Sequence, residues 1–184
     1  MKFLLIPGSL RRDSLNRKLL KNIASIIKAN EWGEVEIADL KQINLPVYDG
    51  DIETAGMPES VKKLGEMISK ADALITCSPE YNASISAPLK NAIDWVSRLR
   101  PVPLEKKPVL LTGASPGGFG SIRALGHTRP PFETLGAYVY PQPFALAKAN
   151  EAFDENDFLI DSLIEKNLAE LVRNFKVFAQ KMVL

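Results

Sequence analysis

The chain contains few of the side chains on which enzymes most often rely. Its 184 residues include one Cys and one His. A single Cys excludes an internal disulfide and a Cys-rich zinc site, and a single His excludes a metal centre built from several histidines. An enzyme made from this chain would therefore have to take its chemistry from a bound group rather than from its own side chains.

An excess of one charge and long apolar runs are also absent. Lys and Arg number 23 and Asp and Glu number 22, which gives a formal net charge of +1. This balance argues against a protein that binds nucleic acid by neutralising phosphates. No run approaches the roughly 20 apolar residues of a membrane span, and Pro7-Gly8 ends the N-terminal apolar run below signal-peptide length. We therefore expect a soluble cytoplasmic protein with no membrane or nucleic-acid partner.

The composition that remains is that of a globular protein, with 46% hydrophobic and 24% charged residues. Domains average about 150 residues, so this length predicts a single domain over residues 1–184. A chain of this size buries about 70% of the surface that its unfolded form exposes. A well-packed core is expected.

Short apolar runs alternate with amphipathic stretches along the chain. Strands are predicted at residues 3–6, 35–38, 73–77, 109–113 and 137–140. Helices are predicted near residues 15–26, from Pro58, from Pro88, within residues 121–135, and over a long stretch from Ile160 to Met182; residues 40–57 are predicted to be a loop. This alternation predicts a three-layer α/β/α fold with a five-stranded parallel sheet in the flavodoxin-like order 2-1-3-4-5.

In such a sheet, ligands bind outside the carboxyl ends of the strands, where the strand order reverses. The loops at that place are the first loop (residues 8–14), the second loop (residues 78–88) and the third loop (residues 113–120). These three loops also have the most unusual composition in the chain. The agreement between topology and composition predicts a ligand site there.

The first loop offers the parts of an anion site. Ser9 and Ser14 supply hydroxyls, Arg11 a guanidinium and Asn16 an amide, next to the free N–H groups of a helix start. Neither Gly-Lys-Ser/Thr nor Gly-x-Gly-x-x-Gly is present, so a monophosphate fits better than a triphosphate or a pyrophosphate. A capped, solvated helix start with surface arginines is the other interpretation.

The second and third loops suit a flat ligand. Pro79 and Asn82 shape a turn on which Tyr81 presents an aromatic face, although an ordinary turn with a self-packed tyrosine gives the same pattern. Three glycines within residues 115–120 would let the main chain approach a ring, although a flexible loop is the alternative.

Five other side chains are assigned structural roles. Cys77 is expected to be a buried, inert thiol, and His127 a capping or surface residue. Lys90 and Asp94 are expected to form a surface pair, and Trp95 to lie in the core or at a subunit contact.

Three segments together resemble a known family. They are Gly8-Ser9-Leu10-Arg11-x-x-Ser14-x-Asn16, Pro79-Glu80-Tyr81-Asn82-x-Ser84 and Leu89-Lys90-Asn91-Ala92-Ile93-Asp94-Trp95. They resemble the NADPH-dependent FMN reductases, which are flavodoxin-like flavoproteins that include quinone, chromate and azo-dye reductases. The resemblance covers most of the chain.

The resemblance implies a role for each loop. It implies that the FMN phosphate is held by Ser9, Arg11, Ser14 and Asn16, and Leu15 is counted with them as a cofactor-binding residue. It implies that the isoalloxazine and ribityl region is held by Pro79, Glu80, Tyr81, Asn82 and Ser84. It implies that the far side of the ring is lined by the backbone of Ser115, Gly117 and Gly118.

The resemblance also implies an activity. It implies an FMN-containing oxidoreductase that uses NADPH or NADH to reduce quinones, free flavin or similar small acceptors by ping-pong hydride transfer. That chemistry occurs on FMN, so no catalytic side chain and no metal is assigned. Two alternatives remain: a flavodoxin-like electron carrier or redox sensor that binds FMN without oxidising NAD(P)H directly, and a phosphate-binding module without flavin. Flavodoxins tend to be strongly acidic, so the charge of +1 speaks mildly against a carrier.

A homodimer or homotetramer with flavin sites near the subunit boundary is implied as well. Trp95 and residues 98–103 are the candidate contacts. Family members often have Pro-Gly where this chain has Ser86-Ala87, a departure that bears on substrate preference and subunit contacts.

Overall fold

A parallel sheet with helices on both faces forms the centre of the computed structural model, which describes residues 1–182. Its strands are β1 (Lys2–Pro7), β2 (Glu34–Ile37), β3 (Ala73–Cys77), β4 (Pro108–Ala114), β5 (Tyr138–Val139) and β6 (Phe144–Leu146). They run in the order β2-β1-β3-β4-β5, and β6 also pairs with β4. The predicted flavodoxin-like fold and strand order are confirmed.

Seven α-helices connect and cover the strands within the described residues. They are α1 (Leu15–Ala29), α2 (Leu40–Ile43), α3 (Gly50–Ala55), α4 (Glu59–Lys70), α5 (Ala87–Val96), α6 (Ile122–Thr134) and α7 (Ser162–Met182). The helices predicted from Pro58, from Pro88 and at the C-terminal end of the chain correspond to α4, α5 and α7. Ile160 lies before α7 and is 64% exposed, so it does not belong to the helical stripe as predicted.

The prediction of a loop over residues 40–57 was wrong, because this segment contains α2 and α3. Asp39 and Asp49 begin these helices, and their carboxylates accept hydrogen bonds from the N–H groups of Lys41 and Asp51, at 2.9 and 2.8 Å. An aspartate before a short polar run is an N-cap signal. Each helix is too short to show the apolar period on which the sequence analysis relied.

The predicted fifth strand is also interrupted. Pro141 and Pro143 have no N–H to contribute to the sheet, so β5 ends at Val139 and β6 resumes the pairing with β4. The Arg129 guanidinium donates to the carbonyl oxygens of Tyr140 and Pro141, at 2.8 and 3.2 Å. A side chain of α6 thus satisfies backbone acceptors that the strand break leaves open.

Side chains of alternate strand residues point to opposite faces of the sheet and contribute to two hydrophobic cores, one on each face. Phe3 and Leu5 pack with α1 and α7, whereas Leu4 and Ile6 pack with α4, α5 and α6. Strands β3 and β4 are buried along their whole length. With both faces covered, the carboxyl edge of the sheet is where polar groups come together. Among residues 1–182, the structure contains no helix with the length and apolar character of a membrane span.

Trp95 belongs to the core and is not a subunit contact. Its side chain is 0% exposed, its indole Nε1 donates to the carbonyl of Pro46 at 2.8 Å, and its ring packs edge-on against Tyr48. The prediction that Trp95 lies in the core is confirmed. The alternative, a subunit contact, is wrong because no surface of the indole remains exposed to a partner.

Candidate functional site

The first and second loops leave the sheet side by side. Pro7 pairs with Cys77, and Cys77 pairs with Thr112, in the registers of β1, β3 and β4. Just beyond the strands, the N–H of Gly8 donates to the carbonyl of Cys77, at 2.9 Å. The loops that composition singled out are therefore adjacent in the structure.

Gly8 and Ser86 hold the first loop against the start of α5. The hydroxyl of Ser86 donates to the carbonyl of Gly8 at 2.6 Å. A Cβ on Gly8 would come within 3.0 Å of Oγ of Ser86. Ser86 is buried, and its N–H donates to the Ser78 hydroxyl at 3.4 Å. The serine that departs from the family pattern thus connects the two loops, while Ala87 beside it is exposed.

The first loop presents unused donors at the start of α1. Ser14 caps the helix, accepting a hydrogen bond from the N–H of Arg17 at 3.4 Å. Within residues 1–182 the N–H groups of Leu15 and Asn16 have no partner, and the first turn contains no acidic residue. Open N–H groups and the helix dipole make such an end favourable for anions.

Two arginines add positive charge to the same loop. Arg11 and Arg12 are exposed, and neither forms an ion pair within residues 1–182. The hydroxyl of Ser9, which is 3% exposed, accepts a hydrogen bond from the N–H of Arg11 at 3.3 Å. The loop therefore holds a defined shape with its guanidinium groups uncommitted.

Asn16 lies beneath the first loop rather than in it. Its Nδ2 donates to the carbonyl of Ala114 and its Oδ1 accepts from the N–H of Ala114, both at 3.0 Å. The same Oδ1 accepts from the thiol of Cys77 at 3.2 Å. The amide thereby joins α1 to the ends of β3 and β4. The backbone N–H of Asn16 is the group that it has free to offer an anion.

Cys77 is the buried thiol that the sequence predicts. It is 0% exposed, and burial raises the pKa of its thiol to about 12. A thiol in that state is neutral at physiological pH and is a poor nucleophile. Cys77 therefore contributes packing and one hydrogen bond to the site.

The second loop contains a tight turn from Tyr81 to Ser84. The main chains of these two residues exchange hydrogen bonds of 3.3 and 3.0 Å, and Asn82 and Ala83 have φ values of 49° and 60°. Two successive left-handed residues define a type I′ turn, which aims the backbone sharply outward. Tyr81 is 47% exposed, so its ring is open to solvent at the apex.

Replacing Ala83 with glycine is expected to raise the free energy of unfolding by about 0.5 to 1 kcal/mol, because an L-residue in the left-handed region is strained. Urea unfolding of the Ala83→Gly variant measures this gain. Asn82→Gly is the matched control and should change stability less, since asparagine tolerates that conformation. A less stable Ala83→Gly variant would show that the turn is not strained at this position.

Glu80 connects the second loop to α6. Its carboxylate accepts from Nε of Arg123 at 2.8 Å and from the N–H groups of Arg123 and Ala124 at 3.2 and 3.3 Å. The Arg123 guanidinium holds the pKa of Glu80 below its ordinary value. Glu80 therefore caps α6 from a distance, a partnership that the sequence analysis did not predict.

The third loop contains two glycines in different surroundings: close packing requires a glycine at position 120 but not at position 118. Gly120 has a φ of 56°, and a Cβ there would lie 2.7 Å from the backbone nitrogen of Ala147. A Cβ on Gly118 would meet nothing within 4 Å, so the surface over that residue is open. The Ser115 hydroxyl accepts from the N–H of Gly117 at 3.0 Å and shapes the turn.

An open groove of about 540 Å³ adjoins the first loop. Leu10, Leu45, Val47 and Pro88 supply its apolar wall, and Val47 is 83% exposed. The groove lies on the side of the first loop that faces α2 and α5.

These loops provide unused N–H groups at a helix start, an exposed aromatic turn and an open glycine backbone. They lie at the point where the strand order of the 2-1-3-4-5 sheet reverses. Together with the fold, they define a flavodoxin-like protein whose loops at this edge carry groups that suit an anion and a flat ring.

The chain belongs to the NADPH-dependent FMN reductase family, whose model matches residues 1–151. It is 33% identical to an NAD(P)H-dependent FMN reductase of Pseudomonas aeruginosa, over 99% of this chain and 97% of that protein. It is 39% identical to a quinone reductase of Escherichia coli, over 74% of this chain and 71% of that protein. The structure also matches the flavoenzyme NAD(P)H:(acceptor) oxidoreductase FerB of Paracoccus denitrificans, with a TM-score of 0.84, 31% identity and coverage of 98% and 97% of the two chains.

Proposed function

We propose that this protein is an FMN-containing, NAD(P)H-dependent oxidoreductase that reduces quinones, free flavin or similar small acceptors in a ping-pong cycle. The observation that carries the proposal is the anion site of the first loop beside the Tyr81 turn. Unused N–H groups at Leu15 and Asn16 and the uncommitted guanidinium of Arg11 suit a phosphate.

The side chains of the site support binding and orientation. Arg11 and the start of α1 would hold the phosphate, with Ser9 and Ser14 shaping the loop, while the turn of Pro79, Tyr81 and Asn82 and the open backbone from Ser115 to Gly118 would flank the ring. Bound FMN would supply the redox chemistry by taking a hydride from NAD(P)H and giving it to the acceptor. The protein's contribution is to keep the reacting groups in contact.

In this proposal, no side chain of the protein acts as a catalytic acid or base. The carboxylate of Glu80 is committed to Arg123 and the start of α6, and the thiol of Cys77 is buried. The homologues named as FMN and quinone reductases favour the reductase over the phosphate-binding module.

Steady-state kinetics test the proposal directly. The protein loaded with FMN should oxidise NADPH or NADH when a quinone is supplied, and double-reciprocal plots at several quinone concentrations should give parallel lines. Intersecting lines would contradict the ping-pong order. A protein that binds no flavin and shows no turnover would contradict the function.

Stopped-flow mixing without an acceptor separates the reductase from the electron carrier. The absorbance of bound FMN should bleach rapidly on mixing with NADPH or NADH if the protein is a reductase. A flavin that binds tightly and stays oxidised with both nicotinamides would favour the carrier or redox sensor.

We also propose that the protein is a homodimer or homotetramer whose subunits meet at the groove beside the first loop. Val47 is 83% exposed there, next to Leu10 at 42%, which favours coverage by another subunit.

Replacing Val47 with aspartate is expected to weaken self-association about tenfold or more, because the variant would bury a charge in the contact between subunits. Light scattering at several concentrations measures the mass. Val177→Asp, a half-exposed site on α7, is the matched control, and an unchanged mass for Val47→Asp would place the contact elsewhere.

A single FMN-binding domain over residues 1–184 and a cytoplasmic location complete the proposal. The free thiol of Cys77 is typical of a reducing compartment. One cooperative unfolding transition, seen alike by far-UV circular dichroism and by FMN fluorescence, would support the single domain. Two separate transitions would contradict it.

A further inference from the structure

Two side-chain contacts fasten the second loop to α6. Glu80 binds Arg123, and one helical turn further on, Oγ of Ser84 lies 3.1 Å from Nδ1 of His127. Residues that are four apart on a helix share one face, so both contacts come from the same side of α6. His127 is exposed, and it is the only histidine of the chain.

The hydroxyl is the part of Ser84 that can change direction. Its N–H donates to the carbonyl of Tyr81, and its own carbonyl accepts from Tyr81, so the turn fixes its main chain. A hydroxyl has one proton to donate and rotates to suit its partner. We assign neutral His127 the tautomer with its proton on Nε2, in which Nδ1 accepts the Ser84 proton. When the imidazole is protonated, Nδ1–H donates to Oγ, and the Ser84 proton becomes available to another acceptor.

The charged groups on α6, on the second loop and on the elements packed against α6 are paired with one another. The titratable or charged residues on the second loop and on the elements packed against α6 are Glu80, Tyr81, Lys90, Asp94, Arg123, Arg129, Glu133 and Tyr138. Glu80 pairs with Arg123, Lys90 with Asp94, and Arg129 with Glu133. Histidine is the side-chain type whose charge changes between about pH 5 and 8. His127 is therefore the member of this cluster whose contact with Ser84 depends on a proton.

We propose that His127 is a positioning residue that sets the direction of the Ser84 hydroxyl, and that its protonation frees the Ser84 proton for an acceptor atom of the flavin. The inference rests on the proposed function, in which the second loop holds the ring. One hydrogen bond gained in the protonated state predicts flavin binding that is about three- to tenfold tighter when His127 is charged. By linkage, bound flavin must favour the protonated imidazole by the same factor.

Proton NMR of the imidazole tests this linkage without any measurement of turnover. Because the chain has one histidine, its C2–H resonance is unambiguous. Riboflavin is the probe, since it lacks the phosphate that would itself titrate and attract the imidazolium. Saturating riboflavin is expected to move the midpoint of the His127 titration to higher pH by about 0.5 to 1, which is the same three- to tenfold factor.

Variants separate the hydroxyl from general effects of burial. Ser84→Ala should still bind riboflavin but show no displacement of the His127 midpoint, and His127→Gln should make riboflavin affinity independent of pH over the same range. Glu133→Gln, which changes a charge of α6 away from the second loop, should behave as the wild type. An unmoved wild-type midpoint with riboflavin bound, or an equal displacement in Ser84→Ala, would overturn the role of His127. Failure of FMN and riboflavin to bind at all would instead overturn the proposed function.

Discussion

Replacing Arg11 with alanine is expected to weaken FMN binding by about tenfold to a hundredfold. The guanidinium is exposed, forms no ion pair within residues 1–182, and belongs to the loop that leads into the unused N–H groups of α1. A charge-assisted hydrogen bond to a phosphate is the strongest single contact that this loop can offer. Fluorescence titration with FMN measures the loss. Because the Arg11 side chain supports no neighbour, the free energy of unfolding should change by less than about 0.5 kcal/mol.

Riboflavin and a neighbouring arginine are the controls for this prediction. Riboflavin lacks the phosphate, so Arg11→Ala should bind it as the wild type does. Arg12→Ala removes an equally exposed charge from the same loop and should change FMN affinity much less. Arg11→Lys keeps the charge without the planar guanidinium and should lie between wild type and alanine. Equal losses of FMN and riboflavin affinity would show that Arg11 does not bind the phosphate.

Replacing Asn16 with alanine is expected to lower the free energy of unfolding by about 2 to 4 kcal/mol, since it leaves buried polar groups without partners. The N–H and carbonyl of Ala114 and the thiol of Cys77 all lose their hydrogen bonds to this amide. The same bonds position α1 against the ends of β3 and β4. We therefore expect the folded fraction of the variant to bind FMN about tenfold more weakly, because the loops are no longer preorganised.

Asn22→Ala is a closely matched control on the same helix. Asn22 is 4% exposed, and its amide bonds to the backbone of Lys18, Asp157 and Leu159 at 2.8 to 3.0 Å. It should lose similar stability in urea unfolding, but it should keep wild-type FMN affinity because it touches none of the three loops. If both variants bind FMN equally well once corrected for the folded fraction, Asn16 has a purely structural role.

Much of the fold was predictable because its signals are local. The apolar runs of β1, β3 and β4 and the helical period of α1 and α7 lie within single elements, and strict alternation leaves few topologies. The short helices α2 and α3 and the interrupted fifth strand escaped prediction. Their signals, an aspartate cap and two prolines, are single residues rather than periods.

The sequence by itself determined the sheet order, the three loops at its carboxyl edge and the residue types of the first loop on which the proposed phosphate site rests. Those follow from residue types within short segments. Only the tertiary structure decided what the side chains contact: Asn16 binds Ala114 at a separation of 98 residues, and Glu80 and Ser84 each bind a residue of α6 that lies 43 positions away. Periodicity tells which face of an element is buried. The partner of a polar group depends on how distant elements pack, and no local pattern records that.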